Sequence, residues 1–173
     1  RYNRVEALSL GIRGSYQTGR VTLDGLGRIG LADGVPNGEA GMALSGQRSR
    51  FRIGGYRRLA AVNPDTKPFG VVNSIWGIIA QRDDGDYFRS IGLELTGTNT
   101  ETGWWSWRVY AERQKAAQVE TTFSIPHLFD GDREFRPNAV ADRADGFGAS
   151  LTLRGNQPVS HTVQFGEETT LEA

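Results

Sequence analysis

Apolar and polar residues alternate with a period of two along most of the chain. In the run ALSLGIR, residues 7–13, the even positions carry large apolar side chains and the odd positions carry small or polar ones. A period of two is typical of β-strands that show different environments to their two faces. The pattern predicts strands at 4–14, 20–32, 38–47, 49–61, 70–82, 86–98, 103–116, 145–155 and 159–168.

The segments between these runs contain residues that favour chain reversal. DGVPNG, RDDGDY, TNTETG and RGNQPVS supply the Asn, Asp, Gly and Pro residues that turns require. Short turns between consecutive strands predict an all-β, antiparallel, up-and-down architecture. Most of the predicted strands are longer than the roughly 5–6 residues usual in globular proteins, and they match the roughly 9–11 residues of a membrane-crossing strand.

Alternation alone fits two structures. In a soluble sheet the apolar face packs into a core, whereas in a transmembrane β-barrel it faces lipid and the polar face lines the lumen. The polar face here is rich in Gly, Ser and Thr, and Arg outnumbers Lys by 18 to 2. Aromatic residues lie near strand ends, as interfacial girdles do; they are Tyr2, Tyr16, Phe69, Tyr87, Phe88, Trp104 and Trp105. These features favour a transmembrane barrel of about 8–10 strands in this chain; the alternative is a soluble, secreted β-sandwich or β-barrel that binds a ligand such as a carbohydrate.

Composition excludes several other classes. The formal net charge is zero, which removes the electrostatic argument for a nucleic-acid partner. No apolar stretch approaches the roughly 18 residues of a membrane helix. Cysteine is absent, so a disulfide framework and a thiolate site are impossible in this chain.

One long connection interrupts the rhythm at 117–144, with Pro126 and Pro137 and little alternation. Such a length is unusual inside a compact domain and normal for a loop of a membrane barrel. We treat residues 1–173 as a single barrel domain that contains this loop. If the first strand starts in the periplasm, counting seven predicted strands before the loop places it outside the cell, at the opposite end of the barrel from the first strand's start. Merging 38–61 into a single strand would reverse that orientation.

Three segments resemble bacterial outer-membrane proteins of the surface-antigen type: RYNRVEALSLG at the start, DYFRSIGLEL in the middle and REFRPNAVADRADGFGASL towards the end. The resemblance implies an outer-membrane β-barrel of Gram-negative bacteria, of which this chain is the N-terminal part. It implies a non-enzymatic role in porin-like transport, membrane biogenesis or surface anchoring. The implied partners are outer-membrane lipid and other envelope proteins, without a cofactor or nucleic acid.

The candidate chemistry is confined to charged residues. We expect a set of polar-face residues to line the lumen, either bracing the wall or lining a passage: Arg13, Arg28, Arg52, Glu94, Arg108, Glu112 and Arg154. Two acidic turns are weak calcium candidates, with Asp83, Asp84 and Asp86 in one and Asp130 and Asp132 in the other. We predict no catalytic residues, since His127 and His161 lack the partners of a catalytic motif, and no His/Cys metal site.

Overall fold

The computed structural model of the protein describes residues 1–101, 103–119, 121, 123–138, 143–154 and, for the backbone, 160–170. In this part of the chain nine strands form one antiparallel sheet in chain order. They are β1 (Tyr2–Asn3), β2 (Ala7–Thr18), β3 (Val21–Gly30), β4 (Pro36–Ser45), β5 (Ser49–Ala61), β6 (Tyr87–Asn99), β7 (Trp105–Ala116), β8 (Ala144–Arg154) and β9 (Ser160–Thr170). The predicted all-β, antiparallel, up-and-down class is confirmed. The sheet is open, because β9 pairs with β8 alone in the described backbone.

The strand predicted at 70–82 is wrong, because Val71–Ala80 forms a helix, α1. Its sequence VVNSIWGIIA places apolar residues at 71, 75 and 78 and at 72, 76 and 79, which is the spacing of a helix rather than of a strand. Gln81 ends the helix in the left-handed conformation, with φ of 56°. A second helix, α2, spans Ile125–Phe129 and is capped by Ser124, whose side chain accepts a hydrogen bond from the His127 amide.

The connections between strands lie at two opposite ends of the sheet. At one end, here called the turn end, residues 19–20 and 46–48 form short reversals between β2 and β3 and between β4 and β5. At the other, the long-loop end, lie the chain start and the connections 31–35, 62–86 and 117–143. The prediction that 117–144 lies opposite the chain start is therefore wrong. Replacing one predicted strand with α1 leaves six long strands before the loop, and an even number returns the chain to its starting end.

The buried hydrophobic residues concentrate at the long-loop end. One cluster joins Val5, Leu59, Tyr87 and Ala117, with Phe69 packed against it. A second cluster is formed by Tyr2, Ala7 and Phe135, together with Ile78 of α1 and Val119. These contacts fasten α1 and the 117–138 segment to the base of the sheet. Within the described residues, neither helix has the length and apolar character of a membrane span.

Candidate functional site: two faces of the sheet and a buried cluster at one end

One face of the sheet is a continuous band of large apolar side chains. Residues opposite each other on paired strands point to the same face, so the register defines its members. One row crosses seven strands: Tyr16, Leu23, Met42, Ile53, Leu95, Val109 and Ala149. We call this surface the apolar band. The apolar band extends across all seven strands from β2 to β8, so one packed helix or one hairpin would be too narrow to bury it.

The apolar band is exposed in the structure. Along β2 the exposed fraction rises from 44% at Leu8 to 57% at Leu10 and 79% at Ile12, and in the central strand Leu93 is 67% exposed. Ordinary soluble domains rarely expose contiguous apolar surface of this extent. The same-face positions from Leu8 to Tyr16 cover about 27 Å along the strand at roughly 3.4 Å per residue.

Aromatic side chains mark the turn end of the apolar band. The rings of Phe51 on β5 and Trp107 on β7 lie 6.3 Å apart across Gly97 of β6, and those of Trp104 and Trp105 lie 6.5 Å apart. Tyr16 is exposed at the same end. Two residues predicted for a girdle, Tyr2 and Tyr87, are instead buried at the long-loop end.

The opposite face carries a chain of ion pairs and hydrogen bonds that links residues of four strands. Arg52 binds Asp24 through two hydrogen bonds of 3.0 and 2.7 Å and donates a third to Glu94 at 3.0 Å. Arg108 donates to the second Glu94 oxygen at 2.9 Å and to the Tyr56 hydroxyl at 3.2 Å. That hydroxyl donates to Glu112 at 2.6 Å. This network ties β3, β5, β6 and β7 together across the polar face.

Glycines make room for the network. A Cβ atom at Gly41 or Gly54 would lie within about 2.5 Å of the Arg52 guanidinium. The guanidinium therefore lies flat over the backbone of β4 and β5, which explains why glycines interrupt those strands.

The register places all seven predicted lumen residues on this polar face. Arg52, Glu94, Arg108 and Glu112 belong to the network above. Arg28 lies nearer the long-loop end, where it binds Glu6 at 3.0 Å. Arg13 and Arg154 are exposed and form no ion pair with the side chains that the structure describes. That the face lines a lumen stays a prediction.

Sequence reasoning missed three members of the polar face: Asp24, Tyr56 and Glu6. Asp24 and Tyr56 follow the same alternation as their neighbours, so the period of two was a sufficient signal for both. Glu6 lies before β2 in a tight turn, and no periodic signal points to it. Its carboxylate is fully buried and accepts hydrogen bonds from Asn3, Arg28 and Asn37 at 2.8–3.0 Å.

A buried polar cluster surrounds Arg4 at the long-loop end. The Arg4 side chain is fully buried and donates to the Asp83 carbonyl at 2.8 Å and to the Asp86 carboxylate at 2.7 Å. The Nη2 atom that binds Asp86 also donates to the side-chain oxygen of Asn138 at 3.1 Å. The Arg4 backbone amide donates to the Asp83 carboxylate at 2.9 Å. The Tyr87 hydroxyl also donates to Asp83, at 2.8 Å.

Asn138 completes this cluster by bridging two strands. Its side-chain oxygen accepts from the Tyr87 amide at 2.9 Å, and its side-chain nitrogen donates to the carbonyls of Tyr87 and Ala117. The start of β6 and the segment after β7 are thereby held together. Arg4, Asp86 to Tyr87 and Asn138 belong respectively to the three segments that carry the resemblance, so the fold brings those three segments into one cluster.

Tyr2 anchors the chain start to both long connections. Its amide donates to the Ser74 hydroxyl of α1 at 3.2 Å, and its own hydroxyl donates to the Phe123 carbonyl. Burial raises the pKa of the Tyr2 hydroxyl to about 12, so the hydroxyl is a proton donor throughout the physiological range.

The two acidic turns occupy different settings. Asp83 is buried, and N–H and O–H donors surround its carboxylate, including the Asn73 side chain at 2.9 Å. The Asp83 oxygens are therefore occupied by structural hydrogen bonds. Asp86 binds Arg4 and Arg136. The exposed Asp84 pairs with Arg82 at 3.1 Å.

In the other turn Asp130 approaches Arg133 at 4.0 Å, and Asp132 is exposed. Among the described residues, no group of three or more His, Asp or Glu side chains is arranged to hold a metal ion. His127 places its Nδ1 2.7 Å from the Arg133 carbonyl, a local loop contact. The side chain of His161 lies outside the described residues.

Comparisons of the chain with protein-family models, curated proteins and solved structures found no match. Function has therefore to be inferred from the two faces of the sheet and the buried cluster.

Proposed function

We propose that this chain forms part of a transmembrane β-barrel of the bacterial outer membrane, of the surface-antigen type, with a non-enzymatic role in transport, membrane biogenesis or surface anchoring. The exposed apolar band carries the proposal. Lipid is the environment in which so wide a band of exposed Leu, Ile, Val and Phe side chains is stable.

The polar face supports the same conclusion. Water alone can solvate a polar face, yet here the charges pair with each other across strands, and glycines make room for them. Inward charges that neutralise one another suit a confined interior better than an open surface. The charged side chains near mid-strand, such as Glu94 and Arg108, are on this face, while the mid-strand positions of the other face are apolar.

The open edges of the sheet support a larger barrel. Within hydrocarbon an unpaired strand edge leaves N–H and C=O groups without partners, which costs several kcal/mol for each group, of order 2–7. Most of the outer edge of β2, on the side away from β3, and the outer edge of β9 have no strand partner in the described structure. In a membrane both edges must be paired, and we propose that further strands complete the wall.

The test is spin-label accessibility in the full-length protein, reconstituted into liposomes. Single cysteines at positions 8–13, each carrying a nitroxide, are exposed to oxygen, which partitions into lipid, and to a polar relaxation agent. We expect oxygen to dominate at 8, 10 and 12, because Leu8, Leu10 and Ile12 lie on the apolar band.

Position 13 provides the internal control, since Arg13 is exposed on the polar face of the same strand, whereas Ser9 is buried and a side chain at Gly11 would crowd the Gly27 carbonyl. If 8, 10 and 12 are shielded from both agents, another protein layer covers the band. The barrel proposal then fails, and a soluble ligand-binding module takes its place.

A further inference from the structure

We propose that the long-loop edge of the apolar band binds an anionic glycerophospholipid, with its phosphate among Arg57, Lys115 and Arg143 and an acyl chain along Leu93 and Phe147. The inference rests on the proposed function, because it requires that the apolar band face lipid. It adds one specific lipid-binding site to a surface that the proposed function requires only to be in general contact with lipid.

Basic residues form two successive rows at this edge. In the first row Arg57, Ile91 and Arg113 lie opposite one another on β5, β6 and β7. In the next row towards the long-loop end, Arg89 lies opposite Lys115. Because same-face rows are about 7 Å apart, the cations occupy a strip only two rows deep. The row on the other side of them, with Leu93, is apolar.

These cations outnumber their carboxylate partners. Arg113 pairs with Asp145 at 2.6 Å, and Arg89 pairs with Asp33 at 2.5 Å. Lys115, Arg57 and Arg143 form no ion pair with the described residues, and all three are exposed. The strip therefore keeps a net positive charge that an anion can neutralise.

The basic side chains enclose a pocket rather than projecting separately. Arg57, Arg89, Arg113, Lys115 and Arg143 line a concave space of about 220 Å³ together with Ser90 and Ile91. The Nη1 atom of Arg89, one of these lining residues, is buried without a hydrogen-bond partner in the described structure. A buried guanidinium nitrogen without an acceptor is costly, and a phosphate oxygen is an acceptor of the required kind.

An apolar groove continues from this pocket. This second space is shallow and mostly apolar, with a volume of about 520 Å³; it shares Ile91 and Arg113 with the first and extends along Leu93, Ala111 and Phe147. Glu112 and Asp145 also line it, and Asp145 is already paired with Arg113. Backbone atoms of Gly92 and Gly146 complete its lining. A glycerophospholipid has the same arrangement, with a phosphate at the membrane interface and an acyl chain that continues into the hydrocarbon. A soluble phosphate ester would use the pocket but leave the groove empty.

The test is native mass spectrometry of the full-length protein in detergent. Phosphatidylglycerol and phosphatidylethanolamine of identical acyl chains are titrated in parallel, since they differ in net headgroup charge. We expect phosphatidylglycerol to be retained preferentially, and the double variant Arg57→Gln/Lys115→Gln to weaken its retention about tenfold. Because both side chains are exposed and unpaired with described residues, the variant should keep the fold, which circular dichroism checks.

The matched control is Arg20→Gln/Arg48→Gln, which removes the same charge at the turn end and should leave retention unchanged. Equal losses in the two double variants, or equal retention of the two lipids, would overturn the site. Complete displacement of phosphatidylglycerol by millimolar inorganic phosphate would also overturn it, since the groove would then contribute nothing. The spin-label result separates the two proposals: a lipid-exposed band without lipid preference refutes only this site, whereas a shielded band refutes both.

Discussion

At the scale of single residues, Arg4 organises the long-loop end. Its side chain is fully buried and reaches Asp83, Asp86 and Asn138, which come from separate parts of the chain. A buried charge of this kind is stable only while its partners remain, because removing one partner leaves another without compensation. Arg4 therefore links the chain start to the connections before β6 and β8.

We expect Arg4→Met to lower the free energy of unfolding by about 3–5 kcal/mol, as is typical when one partner of a buried ion pair is removed. The side chains are similar in length, so lost charge pairing rather than lost volume would dominate. Urea unfolding of the full-length protein in detergent micelles, followed by tryptophan fluorescence, measures the change.

Arg82→Gln is the matched control for this prediction. Arg82 pairs with Asp84 in the same acidic turn, but both side chains are more than 60% exposed. Exposed pairs contribute little, so the change should stay within about 0.5 kcal/mol. Similar losses in the two variants would show that Arg4 has no special structural role.

At the scale of elements, α1 determines which connections share an end of the sheet. It packs on the chain start, where Gly77 lies so close to the Tyr2 ring that a Cβ atom would approach to 2.9 Å. Because α1 is a helix and adds no strand to the sheet, β5 pairs directly with β6. The segments 62–86 and 117–143 therefore emerge at one end.

This topology predicts opposite labelling of two cysteines in intact cells that carry the full-length protein. Gln47→Cys lies in a short reversal at the turn end, and Asp132→Cys lies in the long connection at the other end. A membrane-impermeant maleimide should label one of them in intact cells and both after permeabilisation. The chain has no cysteine of its own to interfere.

Asp65→Cys serves as the control, because it lies in the connection that contains α1 and should label together with Asp132→Cys. If Gln47→Cys and Asp132→Cys both react in intact cells, the two ends are not separated by a membrane. If Asp65→Cys follows Gln47→Cys instead, the position of α1 is wrong.

At the scale of the whole molecule, the apolar band and the polar face have opposite tolerance for charge. Leu93 lies at the middle of β6 on the apolar band and is 67% exposed. In lipid, Leu93→Arg should lower the free energy of unfolding by about 2–4 kcal/mol, the usual cost of an arginine on the lipid face near the bilayer centre. The measurement is urea unfolding of the full-length protein in liposomes.

The control is Ser15→Arg on the polar face, opposite Asp24, where a new cation meets a carboxylate. We expect it to change stability by no more than about 0.5 kcal/mol. A small effect of Leu93→Arg as well would indicate that water, not hydrocarbon, surrounds the band. An exposed leucine in water tolerates replacement by arginine.

The alternation predicted most strands because it reports directly which side chains share a face. It failed at 70–82, where the apolar residues follow a helical spacing and where short apolar runs give an ambiguous signal. The same alternation assigned Arg52, Glu94 and Arg108 to one face. It could not show that Asp24 and Tyr56 join them in one network, since strand register depends on pairing across the sheet.

The sequence by itself determined the all-β class, the antiparallel order of neighbouring strands and the separation of apolar from polar residues, because each depends on spacing along one chain. The tertiary structure decided the rest. Arg4, Asp83 and Asn138 meet only after residues up to 134 positions apart are folded together. The strip of Arg57, Lys115 and Arg143 likewise arises from three separate segments, whose proximity follows from register and not from any local pattern.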